Sequence, residues 1–177
     1  GCHVGSHSVK LAQMSKHVHY FEPLPTSFEL LQKNLELNID DNSNDKYTLH
    51  NAGVGEAHRE TSFAWIPRDN LGGTGLSDNP QGIPSVSDEY NTGDWFKAEN
   101  ETAVSIVPID SLELEKLDFI KIDVEGYEPH VIAGAMDTIT RLRPVIIMEC
   151  FKNHRGETLS KEELEEKYSE LIDMGYR

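Results

Sequence analysis

The residues best placed to do chemistry are four carboxylates and one glycine-rich turn. The run Phe119-Ile120-Lys121-Ile122-Asp123-Val124-Glu125-Gly126-Tyr127-Glu128 is an apolar strand that ends in Asp-x-Glu-Gly. That ending puts Asp123 and Glu125 at the carboxyl edge of a sheet, where open α/β sheets bind ligands. The plainer role for both is to cap the following helix or to complement its dipole. Lys121 should alternate away from Ile120 and Ile122, and there it neutralises neighbouring acids. Glu149 closes Val145-Ile146-Ile147-Met148 in the same manner. Three strand-end carboxylates on one edge are more than surface decoration. Glu22, in Phe21-Glu22-Pro23, ends another strand, and in doubly wound folds a carboxylate there accepts hydrogen bonds from ribose hydroxyls. The segment Gly1-Cys2-His3-Val4-Gly5-Ser6 precedes a helix. Glycines at such a turn let the backbone approach a ligand, and the helix N-terminus favours a negative group.

These groups need a scaffold of alternating strands and helices. Short apolar runs alternate with amphipathic segments, which implies βαβ units and a mainly parallel sheet. Residues 5–15 read as a helix, 18–21 as a strand and 25–38 as a helix with Phe28, Leu31 and Leu35 on one face, capped by Thr26 or Ser27. Residues 40–45 are a polar break and 47–50 a strand, after which Gly53 and Gly55 bend the chain. Residues 61–66 suit an antiparallel strand. Residues 67–101, rich in proline and glycine and with Trp95 and Phe96 near the end, read as a long insertion that is a lid, a binding loop or disorder. Strands follow at 104–109, 118–123 and, as a buried strand, 144–148. One helix spans Pro129 to Arg141, with Val131, Ile132, Ala135 and Ile139 inward, and Ser160 with Glu163 forms a capping box for a last helix carrying Leu164, Tyr168, Leu171 and Ile172.

At 177 residues the chain fits one domain, 1–177, large enough to bury its own core without a disulfide or metal staple. Its first glycine turn lacks the strand that should precede it, and its last helix lacks the strand that should follow. A domain trimmed at both ends is therefore expected. Sixteen basic against thirty-one acidic residues give a net charge of −15, which disfavours nucleic-acid and anionic-lipid partners. No apolar run is long enough to span a membrane. Cys2 and Cys150 make no disulfide framework, and with no signal peptide visible a reducing, cytoplasmic setting is expected. Of eight histidines, His3 and His7 lie four apart and His17 and His19 two apart, but no Cys-x-x-Cys or His-Glu-x-x-His pattern exists, so no metal is expected. His130 reads as a surface histidine.

The order of Gly1-x-x-x-Gly5, Phe21-Glu22-Pro23, Leu31 and Asn34, Asn38, Asn51-Ala52-Gly53-Val54-Gly55, Ile109-Asp110-Ser111-Leu112, Ile120 to Glu128, Gly134-Ala135 and Pro144 to Glu149 resembles the FkbM family of S-adenosylmethionine-dependent methyltransferases. The match covers most of the chain, and Lys121-Ile122-Asp123-Val124-Glu125-Gly126 is its most specific part. The resemblance implies an α/β fold of the three-layer, Rossmann-like class I methyltransferase type. It implies methylation of a hydroxyl on a saccharide, glycolipid or related small molecule. By the same resemblance Gly1 and Gly5 lie beside the methionine part of S-adenosylmethionine, Glu22 is the ribose acid, and Asn51 and Ala52 lie on the adenine side. Asp123 and Glu125 are the acids nearest the transferred methyl and the acceptor. His3 departs from the small polar residue expected at its position. An alcohol is a poor nucleophile, so a base must take its proton, and Asp123 or Glu125 would serve while Glu149 orients the acceptor. A nicotinamide-dependent oxidoreductase would need Gly-x-Gly-x-x-Gly, and a module that only binds a glycan or protein would not need the three acids.

Overall fold

A computed structural model describes residues 1–39, 45–65, 75–77, 102–149 and 159–177. Helix α1 (Ser8–Met14) leads into strand β1 (Val18–Phe21), helix α2 (Pro25–Asn38) and strand β2 (Tyr47–His50). Strands β1 and β2 pair in parallel, Val18 opposite Tyr47 through Phe21 opposite His50. Their crossover is α2, whose Leu31 and Leu35 are fully buried against Ala12 and Tyr20. No side chain caps α2. Pro25 begins it, and its fixed φ suits a first helical residue.

Strands β3 (Gly53–Val54), β4 (Arg59–Trp65), β5 (Gly75–Ser77) and β6 (Thr102–Val107) form a second, mixed sheet in the order β3-β6-β4-β5. Here β3 runs parallel to β6, while β4 is antiparallel to both β5 and β6. The antiparallel strand expected near 61–66 is therefore present. Gly53 is not a bend but part of β3. Of the expected insertion at 67–101, β5 falls among the described residues; the remainder, with Trp95 and Phe96, lies outside them.

Strand β7 (Phe119–Ile122) pairs in parallel with β8 (Val145–Met148). Their crossover is two helices, α3 (Glu128–Ala133) and α4 (Met136–Leu142), rather than the single one expected. The break falls at Gly134, where a Cβ would overlap the backbone carbonyl of Gly55. His130 and Glu56, 2.9 Å apart, tie the same two segments. Asp110 accepts from the amides of Asp137 and Thr138 and so satisfies the open N-terminus of α4. The largest core gathers Ile120 and Ile122 of β7 with Val131, Ile132, Ala135 and Ile139, as the sequence suggests, and with Tyr168 and Leu171. The expectation that β8 is a buried strand fails on one face. Ile146 and Met148 pack on that core, but Val145 is 62% and Ile147 57% exposed.

The last helical stretch is likewise two, α5 (Lys161–Lys167) and α6 (Ser169–Asp173). Ser160 and Glu163 do form a reciprocal capping box, while Ile172 faces outward. The sheets are small and mixed, and two of the three parallel pairs, β1–β2 and β7–β8, are joined by helical crossovers, which gives the molecule its α/β character. No helix among the described residues is long and apolar enough to cross a membrane.

Candidate functional site

The glycine-rich loop is built by backbone contacts. A Cβ on Gly1 would overlap the carbonyl oxygen of Asp123, so the loop lies directly on the end of β7. Gly5 sits at φ 93° and turns the chain into α1 through bonds from its amide to Cys2 and from Ser8 to its carbonyl. Between them, His3 adopts a left-handed φ of 49°. Asn34, on α2, donates its side-chain amide to the carbonyl of Val4 at 2.6 Å and holds the loop from below. The Cys2 thiol is half-buried in packing, and desolvation pushes its pKa up, so it remains a neutral packing group.

Glu22 follows β1 and is 6% exposed. One carboxylate oxygen accepts from the His3 amide at 2.7 Å and the other from the Leu24 amide at 3.1 Å. The carboxylate thus fastens the glycine loop to the end of β1. A carboxylate offers about four acceptor sites, so two bonds leave capacity for a ligand hydroxyl. Asn51 follows β2 and donates to the carbonyls of Glu22 and Pro23. Ala52, beside it, is buried. Gly1, Gly5, Glu22, Asn51 and Ala52 therefore share one strand-end neighbourhood.

The second group stands at the ends of β7 and β8. Asp123, Glu125 and Glu149 bring carboxylate oxygens within 4.8 Å of one another. Lys121 Nζ lies 2.7 Å from Asp123 Oδ2, in the neutralising role read from the sequence. A groove of about 330 Å³ runs past Lys121, Ile122, Asp123, Ile147, Met148 and Glu149. The hydrogen bond from Lys121 holds the Asp123 carboxyl below the ordinary carboxylate value. Glu149 is pushed the other way, first by its hydrogen bond with Asp123. Glu125 is also pushed up, first by partial burial and then by the charges of Glu149, Asp123 and Glu128. Three carboxylates with proton affinities driven apart by their surroundings are what acid–base chemistry requires. Three such oxygens could also grip a hard cation, but Lys121 already supplies a positive charge at Asp123.

The contact of Gly1 with Asp123 and the bond from His3 to Glu22 join the two groups. The loop of Gly1 to Gly5 thus touches one acid of each group, Glu22 and Asp123. Glu128 went unread there: it is fully buried and accepts from the amides of Val124 and Gly126, either side of Glu125. Its signal was an acid in the first turn of α3, which sequence alone assigns to the helix dipole. His130 is engaged by Glu56 and leans on the ring of Tyr127, as a surface residue would. His17 and His19 are joined by His50, which the sequence did not single out. His19 Nδ1 lies 3.1 Å from His50 Nε2, and burial lowers the proton affinity of both rings.

The profile of the Methyltransferase FkbM domain family matches residues 1–177. Among solved structures the chain is similar to the methyltransferase FkbM from Methylobacillus flagellatus KT, at 21% identity and a TM-score of 0.55. That likeness covers 85% of this chain and 31% of the other, so the chain spans about a third of the length of its structural relative. No curated protein matches the chain.

Proposed function

The chain belongs to the FkbM methyltransferase domain family, and on that premise we propose that it serves S-adenosylmethionine-dependent methylation of a hydroxyl on a saccharide, glycolipid or related small molecule. Its parallel pairs are then the working strands of a three-layer, Rossmann-like frame. The observation that carries this reading is the loop of Gly1 to Gly5, tied at one end to Glu22 and laid at the other on Asp123.

The residues at the loop fit such a cofactor. Glu22 is buried and oriented by two amides, with acceptor sites left for ribose hydroxyls. Gly1 and Gly5 present bare backbone where the methionine portion would lie, and Asn51 and Ala52 flank the adenine side. When bound, S-adenosylmethionine supplies a sulfonium methyl, which is electrophilic. The chain's own task is to align an acceptor oxygen with that methyl and to remove the hydroxyl proton.

Asp123 is pinned as a carboxylate by Lys121 and is better suited to accept a hydrogen bond from the acceptor than to take its proton. Glu125 is held above the ordinary carboxylate value by partial burial and its neighbours' charges, which makes it the stronger base of the two. Glu149 shares a hydrogen bond with Asp123 and orients the acceptor's other hydroxyls.

Calorimetric titration of S-adenosylhomocysteine, with NAD as control, tests the reading. Saturable binding of the first alone is the expected result. Glu22→Ala should weaken that binding by about 1–3 kcal/mol, the cost of a lost hydrogen bond to a charged group. A folded chain that binds neither ligand would overturn the proposal.

A further inference from the structure

We infer that Glu128 is the positioning residue of this site: its buried carboxylate clamps the turn that carries Glu125. The inference deepens the methyl-transfer reading and rests on it for the role of Glu125. Three observations carry it. Glu128 is 0% exposed, and its Oε1 accepts from Val124 N at 3.3 Å and from Gly126 N at 3.2 Å. Those amides flank Glu125 on both sides, so the clamp closes around it. The turn needs holding, because Glu125 has φ 53° and Gly126 φ 96°. The left-handed region is unfavourable for a residue with a side chain.

The third observation is the spare oxygen. Glu128 Oε2 is buried with no hydrogen-bond partner. A glutamine could offer one oxygen to the same two amides without burying a charge. A buried carboxylate with an idle oxygen is costly, and such groups in native proteins ask for an explanation. Here the charge has an effect on its neighbours. Glu125 faces Asp123 with Lys121 on the β7 side, Glu149 at the end of β8 and Glu128 on α3, and the Glu128 charge helps to raise the proton affinity of Glu125 and Glu149. Glu128 thus sets where Glu125 stands, and its charge adds to the burial and to the Glu149 and Asp123 charges that raise the proton affinity of Glu125.

The test uses the full chain, with carboxyl-labelled glutamate and amide exchange followed by NMR. In Glu128→Ala, the amides of Val124 and Gly126 should exchange at least tenfold faster. In Glu128→Gln, they should stay protected while the titration midpoint of Glu125 moves down. Should Glu128→Ala fail to fold, the glutamine variant decides alone. Unchanged amide exchange in a folded alanine variant, or an unmoved Glu125 midpoint in the glutamine variant, would overturn the inference. S-adenosylhomocysteine affinity of the wild-type chain, measured in parallel, separates failure of the clamp from failure of the methyl-transfer reading.

Discussion

A half-buried carboxylate beside other carboxylates holds its proton more tightly than one in water, and Glu125 is in that position. The sign of its effect on stability follows. Its proton affinity is higher in the folded chain than in the unfolded one, so its contribution is full below the ordinary value of 4.5 and is lost as pH rises through the folded value. At pH 7 the ionised group opposes folding. Glu125→Gln should therefore raise the urea midpoint at pH 7, with the gain vanishing near pH 4; an equal gain at both would remove the charge as its cause. At this scale the sequence was legible where a side chain ends a strand. Asp123, Glu125, Glu149 and Glu22 each follow an apolar run. It was not legible where a side chain serves backbone inside a turn. Glu128 and Asn34 act through amides and carbonyls of other residues, and no periodicity reports such bonds.

Between elements, one tight constraint is Gly134 against Gly55. A Cβ at 134 meets backbone on the facing segment, which cannot yield as a side-chain tip would. Gly134→Ala should destabilise the chain by about 1–3 kcal/mol, as overpacking does, and urea denaturation would measure it. A cost near zero would mean that the two segments separate freely. The same contact accounts for the missed break between α3 and α4. The apolar pattern Val131, Ile132, Ala135, Ile139 runs straight through it, because the reason for the break lies in a distant part of the chain. Helix α2 and strands β1 and β2 were legible because their own residues bound them, with Pro25 at the helix start and polar residues beyond His50 and Asn38. The outer face of β8 was misread because a run of Val and Ile looks the same whether one face or both are covered.

On the scale of the whole molecule, apolar packing falls into separate bodies. A small core joins Leu24 and Val104, and of the two larger ones the first holds α1, β1, α2 and β2 and the second β7, β8 and the helices around them. The loop of Gly1 to Gly5 reaches both, with Cys2 packed on the first and Gly1 laid on Asp123 at the edge of the second. Proteins open in cooperative units, each with its own free energy. With the loop empty, amides of β2 and of β7 should therefore exchange with different opening free energies. S-adenosylhomocysteine at a hundredfold excess over its dissociation constant adds about 2.7 kcal/mol to whatever opening releases it. If the ligand rests on both ends of the loop, that increment appears in both cores at once. An increment confined to β2 would show that the ligand touches only the Glu22 end. On the proposed reading the loop would act as a hinge pin: with the ligand across both ends the two cores should melt as one body, and without it each at its own temperature.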